Sequence, residues 1–293
     1  MKILITGAGG QLAEQLTSAL KRGETSLGAI PECFLEAELV AKSETELDIC
    51  DKDAVMSLCT KEKFDVIFNC AAYTNVDGCE ENAEAAYAVN RDACGYLAEA
   101  AYKTDAKLVH ISTDYVFDGK SDVPYTEDMP CAPCTVYGKS KLEGVLEIKN
   151  KMQKYFIIRT SWLYGYNGNN FVKTILKKAD ETGTLKVVCD QFGTPTFAED
   201  LVHHMVYLAS GENYGTYHCT GEGQTCSWFD FADYAVKLSG KKCDVYKCTT
   251  EEFPRPAPRP KYSRLDNAAL KALGMNKMRG WKTALEEFMR IYK

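Results

Sequence analysis

Three absences narrow what this chain of 293 residues can be. No apolar run approaches the roughly 20 residues that a membrane-spanning helix needs. Lysine and arginine (35) are outnumbered by aspartate and glutamate (41), and the net charge of −6 does not favour non-specific binding to nucleic acid. Met1 leads directly into an apolar strand, so we expect no signal peptide. We therefore expect a cytoplasmic protein without a membrane or nucleic-acid partner.

Cysteine is plentiful, but its pattern lacks the features of the usual cysteine sites. The 13 cysteines are odd in number and scattered, as expected of thiols that act as small hydrophobic residues in a cytosolic protein. Cys131 and Cys134 form a C-x-x-C pair, yet neither the second ligand pair of a structural zinc site nor a thioredoxin-like helix start accompanies them. We predict no metal site here, and a redox role for the pair is left open.

The amino terminus combines an apolar strand, a glycine-rich turn and a helix. Lys2–Thr6 is the strand, and Gly7 and Gly10 belong to the sequence GAGGQLA that follows. Such glycines let the backbone approach a pyrophosphate, which also gains from the positive end of the helix. Ala13 replaces the last glycine of the usual spacing, an accepted substitution. We predict a dinucleotide site, since a purely structural turn is less expected directly after the first strand.

The next strand bears on which dinucleotide is used. NAD-preferring sites usually place an acid at its end, where it bonds the adenine ribose. Here Lys42 and Ser43 stand at that place. A cation and a hydroxyl suit a 2′-phosphate, so we predict NADPH as the cofactor, with NADH also possible. The alternative, that Lys42 is only a solvated strand-end residue, stays open.

A candidate catalytic set lies further along the chain. Thr113 follows an apolar run at residues 107–111 that is typical of a buried parallel strand, and Tyr137 and Lys141 are four residues apart, on one face of a helix. A tyrosine can protonate a developing alkoxide, and a neighbouring lysine cation is expected to lower the phenol pKa from about 10. With a threonine hydroxyl holding the carbonyl oxygen, the three residues predict a carbonyl reductase. A chance pair of exposed side chains is the weaker alternative.

Strand and helix patterns alternate along the chain. This alternation predicts an α/β protein with a Rossmann-type, doubly wound parallel sheet covered on both faces. Ligands bind such sheets beyond the carboxyl ends of the strands, where Ala71, Ala72, Thr113 and Ser161 are expected. We predict an NAD(P)-binding domain at residues 1–165, to which some later segments return, and a smaller α/β substrate lobe at 166–293. Helices are predicted at residues 83–101, 136–149, 171–181, 198–210, 227–238 and 281–292.

Several motifs together resemble one family. The chain is similar, nearly end to end, to the dTDP-4-dehydrorhamnose reductases, which are extended short-chain dehydrogenases/reductases. The block STDYVFDG at residues 112–119 is the most specific of these motifs. The others are Gly10-Gln11-Leu12, Leu47-Asp48-Ile49, AAYT at 71–74 with Val76-Asp77, YGKSK at 137–141, RTSWLYG at 159–165, Gly193 with Pro195-Thr196, Asp200-Leu201, Arg259-Pro260 with Ser263 and Leu265, and Trp281.

The resemblance implies reduction of the 4-keto group of dTDP-4-dehydro-β-L-rhamnose by NAD(P)H, a step of dTDP-rhamnose biosynthesis. It places Thr113, Asp114 and Trp162 at the sugar. It places Gly10, Gln11, Leu12, Asp48, Ile49, Ala71, Ala72, Tyr73, Tyr137 and Lys141 at the cofactor. Some members form a dimer bridged by magnesium on glutamates, but Gln15 stands near one of those positions, beside Glu14, and Lys293 ends the sequence without a terminal acid. We therefore do not expect magnesium, and a homodimer stays open.

The proline-rich segment at residues 253–264 is the candidate grip on the substrate's pyrophosphate. It carries Arg255, Arg259, Lys261 and Arg264 in a chain that is otherwise net acidic. Proline stiffens the segment, and an arginine fork can bond two phosphate oxygens. We predict Arg259 as the clamp because Arg-Pro recurs at this place in the resembled family. A solvated surface loop is the alternative.

Two other functions remain open. The first is another nucleotide-sugar 4-ketoreductase, epimerase or dehydratase of the same fold. A dehydratase needs two acids beside the threonine, whereas Asp114 is followed by Tyr115. The second is a non-catalytic NADP-binding subunit, similar to the regulatory subunit of methionine adenosyltransferase. The presence of Thr113, Tyr137 and Lys141 favours catalysis over this reading.

Overall fold

The computed structural model of the protein describes residues 1–292. The strands, in chain order, are β1 Lys2–Thr6, β2 Glu24–Thr25, β3 Gly28–Ala29, β4 Glu38–Lys42, β5 Val66–Asn69, β6 Lys107–Thr113, β7 Tyr155–Thr160, β8 Leu163–Tyr164, β9 Thr184–Val188, β10 Phe192–Gly193, β11 Thr196–Phe197, β12 Gly215–His218, β13 Cys226–Ser227 and β14 Asp244–Cys248. The α-helices are α1 Gln11–Arg22, α2 Lys52–Glu62, α3 Val76–Glu81, α4 Ala83–Tyr87, α5 Ala93–Thr104, α6 Val136–Lys151, α7 Phe171–Thr182, α8 Ala198–Ser210, α9 Trp228–Ser239, α10 Ala268–Ala272 and α11 Trp281–Ile291.

Six parallel strands form the central sheet, in the order β12-β7-β6-β5-β1-β4. Alternate side chains of each strand point to opposite faces, so both faces need a cover. Ile3 and Ile5 of β1 pack with α1 and α8, whereas Leu4 packs against the other face's helices α2, α5 and α6. The prediction of a Rossmann-type doubly wound sheet is confirmed.

The order of the strands places a crevice beside β1. The chain passes from β1 to β4 on one side and then crosses to β5 on the other, so the strand order reverses between β1 and β5. In open α/β sheets, ligands bind at such a switch point. At Gly7 the backbone has a φ of +75°, and an added Cβ would lie 2.8 Å from the backbone nitrogen of Ala71. Only glycine fits there, which keeps the two strand ends close together.

The later part of the chain builds a second core around aromatic side chains. Tyr164, Phe197, Phe231, Trp281 and Phe288 pack there with residues of α7, α9 and α11. The helices predicted at 171–181, 198–210, 227–238 and 281–292 are confirmed within about one residue at each end. However, α8 packs on α1, and β12 is an edge strand of the central sheet. The division into domains at residue 165 stays a prediction.

The predicted helix at residues 83–101 is interrupted. After α4 the chain forms a π-helical turn, Ala88–Asp92, before α5 begins. The turn directs Asn90 inward, where its side-chain amide accepts from the Tyr73 nitrogen at 2.9 Å and donates to the Tyr73 carbonyl oxygen at 3.1 Å. A π-turn of this kind often marks a functional site. Within residues 1–292, no helix is both long and apolar enough to cross a membrane.

Candidate active site

A cavity of about 990 Å³ opens at the carboxyl ends of the central strands. It is lined by the glycine turn, by the loop after β4, by the ends of β5, β6 and β7, and by Trp228 of α9. Fourteen predicted site residues line it: Gly7, Gly10, Gln11, Leu12, Asp48, Ile49, Ala71, Ala72, Tyr73, Thr113, Asp114, Tyr137, Lys141 and Trp162. Lys42, Ser43 and Arg259 are not among the lining residues.

The glycine turn fits a dinucleotide pyrophosphate. Gly7 and Gly9 have φ values of +75° and +86°, and Gly10 is the residue before α1. No side chain caps the amino terminus of α1, so its first N–H groups are free to bind an anion at the positive end of the helix. The turn therefore places the amino terminus of the twelve-residue helix α1 beside the cavity, where a pyrophosphate could bind.

A carboxylate stands beside the residues predicted to bind the 2′-phosphate. The Ser43 backbone nitrogen and hydroxyl donate to one oxygen of Glu46, at 2.9 and 2.8 Å. These bonds lower the pKa of Glu46, so it is ionised at neutral pH. Lys42 uses its carbonyl oxygen to accept from the Ala8 nitrogen at 2.9 Å. Glu46 was missed by sequence reasoning because its link to Ser43 is a local turn contact that no motif marks.

The start of α6 brings Tyr137 to the end of β6. Thr135 caps the helix by accepting from the Gly138 nitrogen at 3.0 Å. A side chain at Gly138 would collide with the carbonyl oxygen of Tyr115, so the glycine lets the helix pack on the turn that follows β6. The rings of Tyr115 and Tyr137 meet edge to face, with centroids 5.5 Å apart. The predicted acid thus lies against the segment that carries Thr113 and Asp114.

The expectation that the Lys141 cation lowers the pKa of the Tyr137 phenol is wrong for this structure. Burial raises the pKa of Tyr137, the Thr113 hydroxyl partly offsets this, and the Asp114 carboxylate raises it further. Lys141 Nζ instead donates to the Ile111 carbonyl oxygen at 2.6 Å and contacts His110 Nε2 at 3.3 Å. Burial also lowers the pKa of Lys141 itself. Both pKa values shift in this way because burial disfavours the charged forms, the Tyr137 phenolate and the Lys141 ammonium.

Asp114 lines the cavity, and its side chain is buried. Thr113 Oγ1 donates to its Oδ1 at 2.9 Å, whereas Oδ2 has no hydrogen-bond partner within residues 1–292. Burial raises the pKa of Asp114 to about 6, and the Thr113 bond partly offsets the rise. A buried polar atom without a partner is costly, so this oxygen is suited to bind a ligand hydroxyl.

Trp162 is held against the cavity by the second core. Its backbone has a φ of +48°, a strained value for a bulky residue. Its indole stacks on that of Trp228, with ring centroids 3.6 Å apart and planes at 8°. Gly193 leaves space for this ring, since an added Cβ would lie 2.8 Å from it. Trp228 was missed from the sequence, where only the helix predicted at 227–238 pointed to its position.

Arg259 lies beside the site in an ion pair. Its guanidinium donates to Asp77 Oδ2 at 2.9 Å and to the Ala257 carbonyl oxygen at 3.0 Å. Burial raises the pKa of the cavity-lining Tyr115, as does Asp114, and the nearby Arg259 cation opposes the rise. The bonds made by Arg259 tie the proline-rich segment to α3. Its predicted contact with a pyrophosphate stays a prediction.

The residues near Gln15 do not fit a magnesium ion. Gln15 donates to one oxygen of the buried Glu199, and the other oxygen accepts from Arg22 at 2.8 Å and from the Ser26 nitrogen at 3.1 Å. Amide and guanidinium donors therefore occupy the carboxylate that a cation would need. Across the described residues, no three histidine, cysteine or acidic side chains are grouped as a metal site.

Comparison with known proteins shows similarity to one family along the whole chain. The RmlD substrate binding domain family matches residues 1–293. The chain belongs to the dTDP-4-dehydrorhamnose reductase family. An enzyme of this name from Aggregatibacter actinomycetemcomitans is 40% identical over 303 residues, covering 99% of each chain.

Solved members of the family have the same fold. A dTDP-4-dehydrorhamnose reductase of Clostridium acetobutylicum is 44% identical, with a TM-score of 0.94, covering 100% of this chain and 99% of its own. That of Bacillus anthracis, in complex with NADP, is 38% identical, with a TM-score of 0.93 and the same coverage. The family expected from the sequence motifs is thereby confirmed.

Proposed function

We propose that the protein uses NADPH to reduce the 4-keto group of dTDP-4-dehydro-β-L-rhamnose, giving dTDP-β-L-rhamnose. The observation that carries the proposal is the cavity in which Thr113, Tyr137 and Lys141 meet the glycine turn. The family supplies the substrate class, and the Bacillus anthracis relative was solved with NADP. NADH remains a possible second cofactor, and the homodimer and cytoplasmic location stay predictions.

The residues of the site divide the reaction between them. When bound, NADPH supplies the hydride that adds to the carbonyl carbon. Thr113 holds the carbonyl oxygen, and Tyr137 donates its phenolic proton to that oxygen as negative charge develops there. Because burial raises the pKa of Tyr137, the phenol stays protonated and ready to donate at neutral pH. Lys141 holds the cofactor beside Tyr137.

The two indoles and Asp114 make a site for a sugar. The stacked pair of Trp162 and Trp228 offers an apolar wall, against which a deoxysugar can pack. Asp114 lines the same cavity, and its carboxylate can bind a sugar hydroxyl. Asp114 is buried, and polar contacts are stronger in such a poorly hydrated environment than in water.

Simple reduction is favoured over the other reactions of this fold. A dehydratase needs a second acid beside Thr113, but the cavity offers Tyr115, whose pKa is raised by burial. Tyr115 therefore cannot act as an ionised base. A non-catalytic subunit has no need for a buried lysine without an acidic partner. Retaining such a group is costly unless it serves a reaction.

Turnover of NADPH with a panel of 4-keto nucleotide sugars tests the function. We expect the dTDP-linked 6-deoxy-4-keto sugar to be reduced fastest. Tyr137→Phe should lose about 10²–10⁴ of kcat while NADPH still binds, because general acid catalysis supplies a factor of this size. Tyr217→Phe, which removes another partly buried hydroxyl from β12, is the matched control and should keep full activity. Near-normal turnover by Tyr137→Phe would show that another group donates the proton.

A further inference from the structure

A chain of buried polar side chains runs beneath the catalytic residues. Thr6 of β1, Asn69 of β5 and His110 of β6 lie side by side on three neighbouring strands. Thr6 Oγ1 and Asn69 Oδ1 are 2.7 Å apart, Asn69 Nδ2 and His110 Nδ1 are 3.0 Å apart, and His110 Nε2 lies 3.3 Å from Lys141 Nζ. All four side chains are buried. The chain therefore leads from the sheet to the lysine of the site.

Lys141 is a buried cation without an acidic partner among residues 1–292. It is 2% exposed and forms no salt bridge there. The titratable groups that face it are His110 of β6, Cys70 after β5 and Cys94 of α5, with Tyr137 one turn earlier on its own helix. An ammonium group can only donate, so it needs acceptors. The acceptors it has are the Ile111 carbonyl oxygen and His110 Nε2.

We propose that His110 is a positioning residue for the reduction and acts through Lys141, whose ammonium it holds by accepting a hydrogen bond at Nε2. The inference rests on the proposed function. His110 does not touch the carbonyl itself. It fixes one hydrogen bond of Lys141, the Ile111 carbonyl oxygen fixes another, and the third N–H is left for the cavity. Lys141 is thereby aimed at the cofactor and at Tyr137 rather than free to turn.

The proposal dictates where the imidazole proton lies. A lone pair on Nε2 leaves the proton on Nδ1, so Asn69 must turn its amide oxygen toward Nδ1 and its amide nitrogen toward Thr6 Oγ1. Amide oxygen and nitrogen are interchangeable at these positions, and the heavy-atom distances serve either orientation. If Lys141 is neutral, each of these hydrogen bonds runs in the opposite direction, and Nε2 carries the proton. The tautomer of His110 therefore reports the charge on Lys141.

Two variants of His110 separate positioning from packing. His110→Gln keeps an acceptor near the position of Nε2, whereas His110→Leu fills the space without one. We expect His110→Leu to lose about 10- to 100-fold in kcat, the value of a hydrogen bond to a charged group, and His110→Gln to regain most of it. Losing an acceptor lowers the pKa of Lys141 further, so the alkaline limb of the rate profile should move about one pH unit lower in His110→Leu.

The control is a second buried histidine beside a cation. His218 accepts from the Arg159 guanidinium at 3.3 Å but lies on β12, outside the cavity. His218→Leu should lower stability and leave the rate profile unchanged. Equal losses in His110→Leu and His110→Gln, with an unmoved alkaline limb, would assign His110 a packing role and overturn the proposal.

A measurement on the resting protein keeps the inference separate from the function. In ¹⁵N-histidine NMR spectra, the signals that vanish in His110→Gln belong to His110. We expect them to show a neutral ring with the proton on Nδ1 between pH 6 and 8. A proton on Nε2 would overturn the proposal, even if His110→Leu fails to fold. If no nucleotide sugar is reduced by the native protein, the proposed function fails, and the spectrum still decides whether His110 holds the ammonium.

Discussion

The buried carboxyl of Asp114 makes a quantitative prediction about stability. Burial raises its pKa from an ordinary value of 3.8 to about 6. Because the folded-state pKa lies above the unfolded one, folding favours the protonated form. The contribution to stability is fully present below about pH 4 and is lost as pH rises through about 6. Replacing Asp114 by asparagine removes this pH dependence and keeps the shape of the side chain.

The size of the effect follows from the two pKa values. A shift of about 2 units corresponds to about 3 kcal/mol of lost stability at pH 8. About 1 kcal/mol of this is already lost at pH 4.5, because the unfolded chain begins to ionise near pH 4. The stability of Asp114→Asn relative to the native protein should therefore rise by about 2 kcal/mol between pH 4.5 and pH 8. This difference does not depend on how well the new amide is accommodated.

Urea unfolding at a series of pH values measures this difference directly. Asp118→Asn is the control of opposite sign, because the Tyr125 hydroxyl lowers the pKa of Asp118. That variant should lose relative stability only as pH rises to about 4, where the unfolded chain ionises, and its curve should run nearly parallel to that of the native protein between pH 4.5 and pH 8. Parallel stability curves for the native protein and Asp114→Asn would refute the reasoning, since they would mean that Asp114 ionises as easily in the folded as in the unfolded chain.

Two further predictions concern residues beside the cavity. Glu46→Gln should raise kcat/KM for NADPH relative to NADH by about 3- to 10-fold, because the Glu46 carboxylate occupies the Ser43 donors that a 2′-phosphate would use. If the ratio of the two kcat/KM values is unchanged, the 2′-phosphate binds elsewhere. Arg259→Ala should raise KM for the nucleotide sugar about tenfold and leave NADPH affinity unchanged. Asp77→Asn removes the negative charge that pairs with the guanidinium but keeps an acceptor for the loop, so it should not raise KM for the nucleotide sugar. If Asp77→Asn and Arg259→Ala raise this KM equally, Arg259 only holds the loop in place.

Much of the fold follows from local patterns in the sequence. The helices α7, α8, α9 and α11 were predicted within about one residue because their apolar periodicity and their first and last residues are local signals. The meeting of the glycine turn, Thr113 and Tyr137 followed from a topological rule, since parallel strands gather their carboxyl ends at one edge of the sheet. These two kinds of information are enough to place the cavity.

The remaining features depend on contacts between distant segments. The π-helical turn at Ala88–Asp92 exists because Asn90 bonds Tyr73 and Ser140, and alanine-rich periodicity carries no sign of this. Trp228 reaches the cavity only through packing of the second core on Trp162. The effect of Lys141 on Tyr137 was misjudged because the spacing of two residues gives their helix face but not their burial. Burial depends on the whole fold.

The position of β12 has a consequence for how the protein is made. β12 pairs with β7 along Phe156 to Arg159, yet some 50 residues, which include α7 and α8, are synthesised between the two strands. Until residues 215–218 have left the ribosome, β7 is an open edge that carries the apolar residues Ile157 and Ile158. Open apolar edges pair readily with other chains. The nascent protein is therefore most prone to aggregate during the interval in which residues 161–214 are being translated.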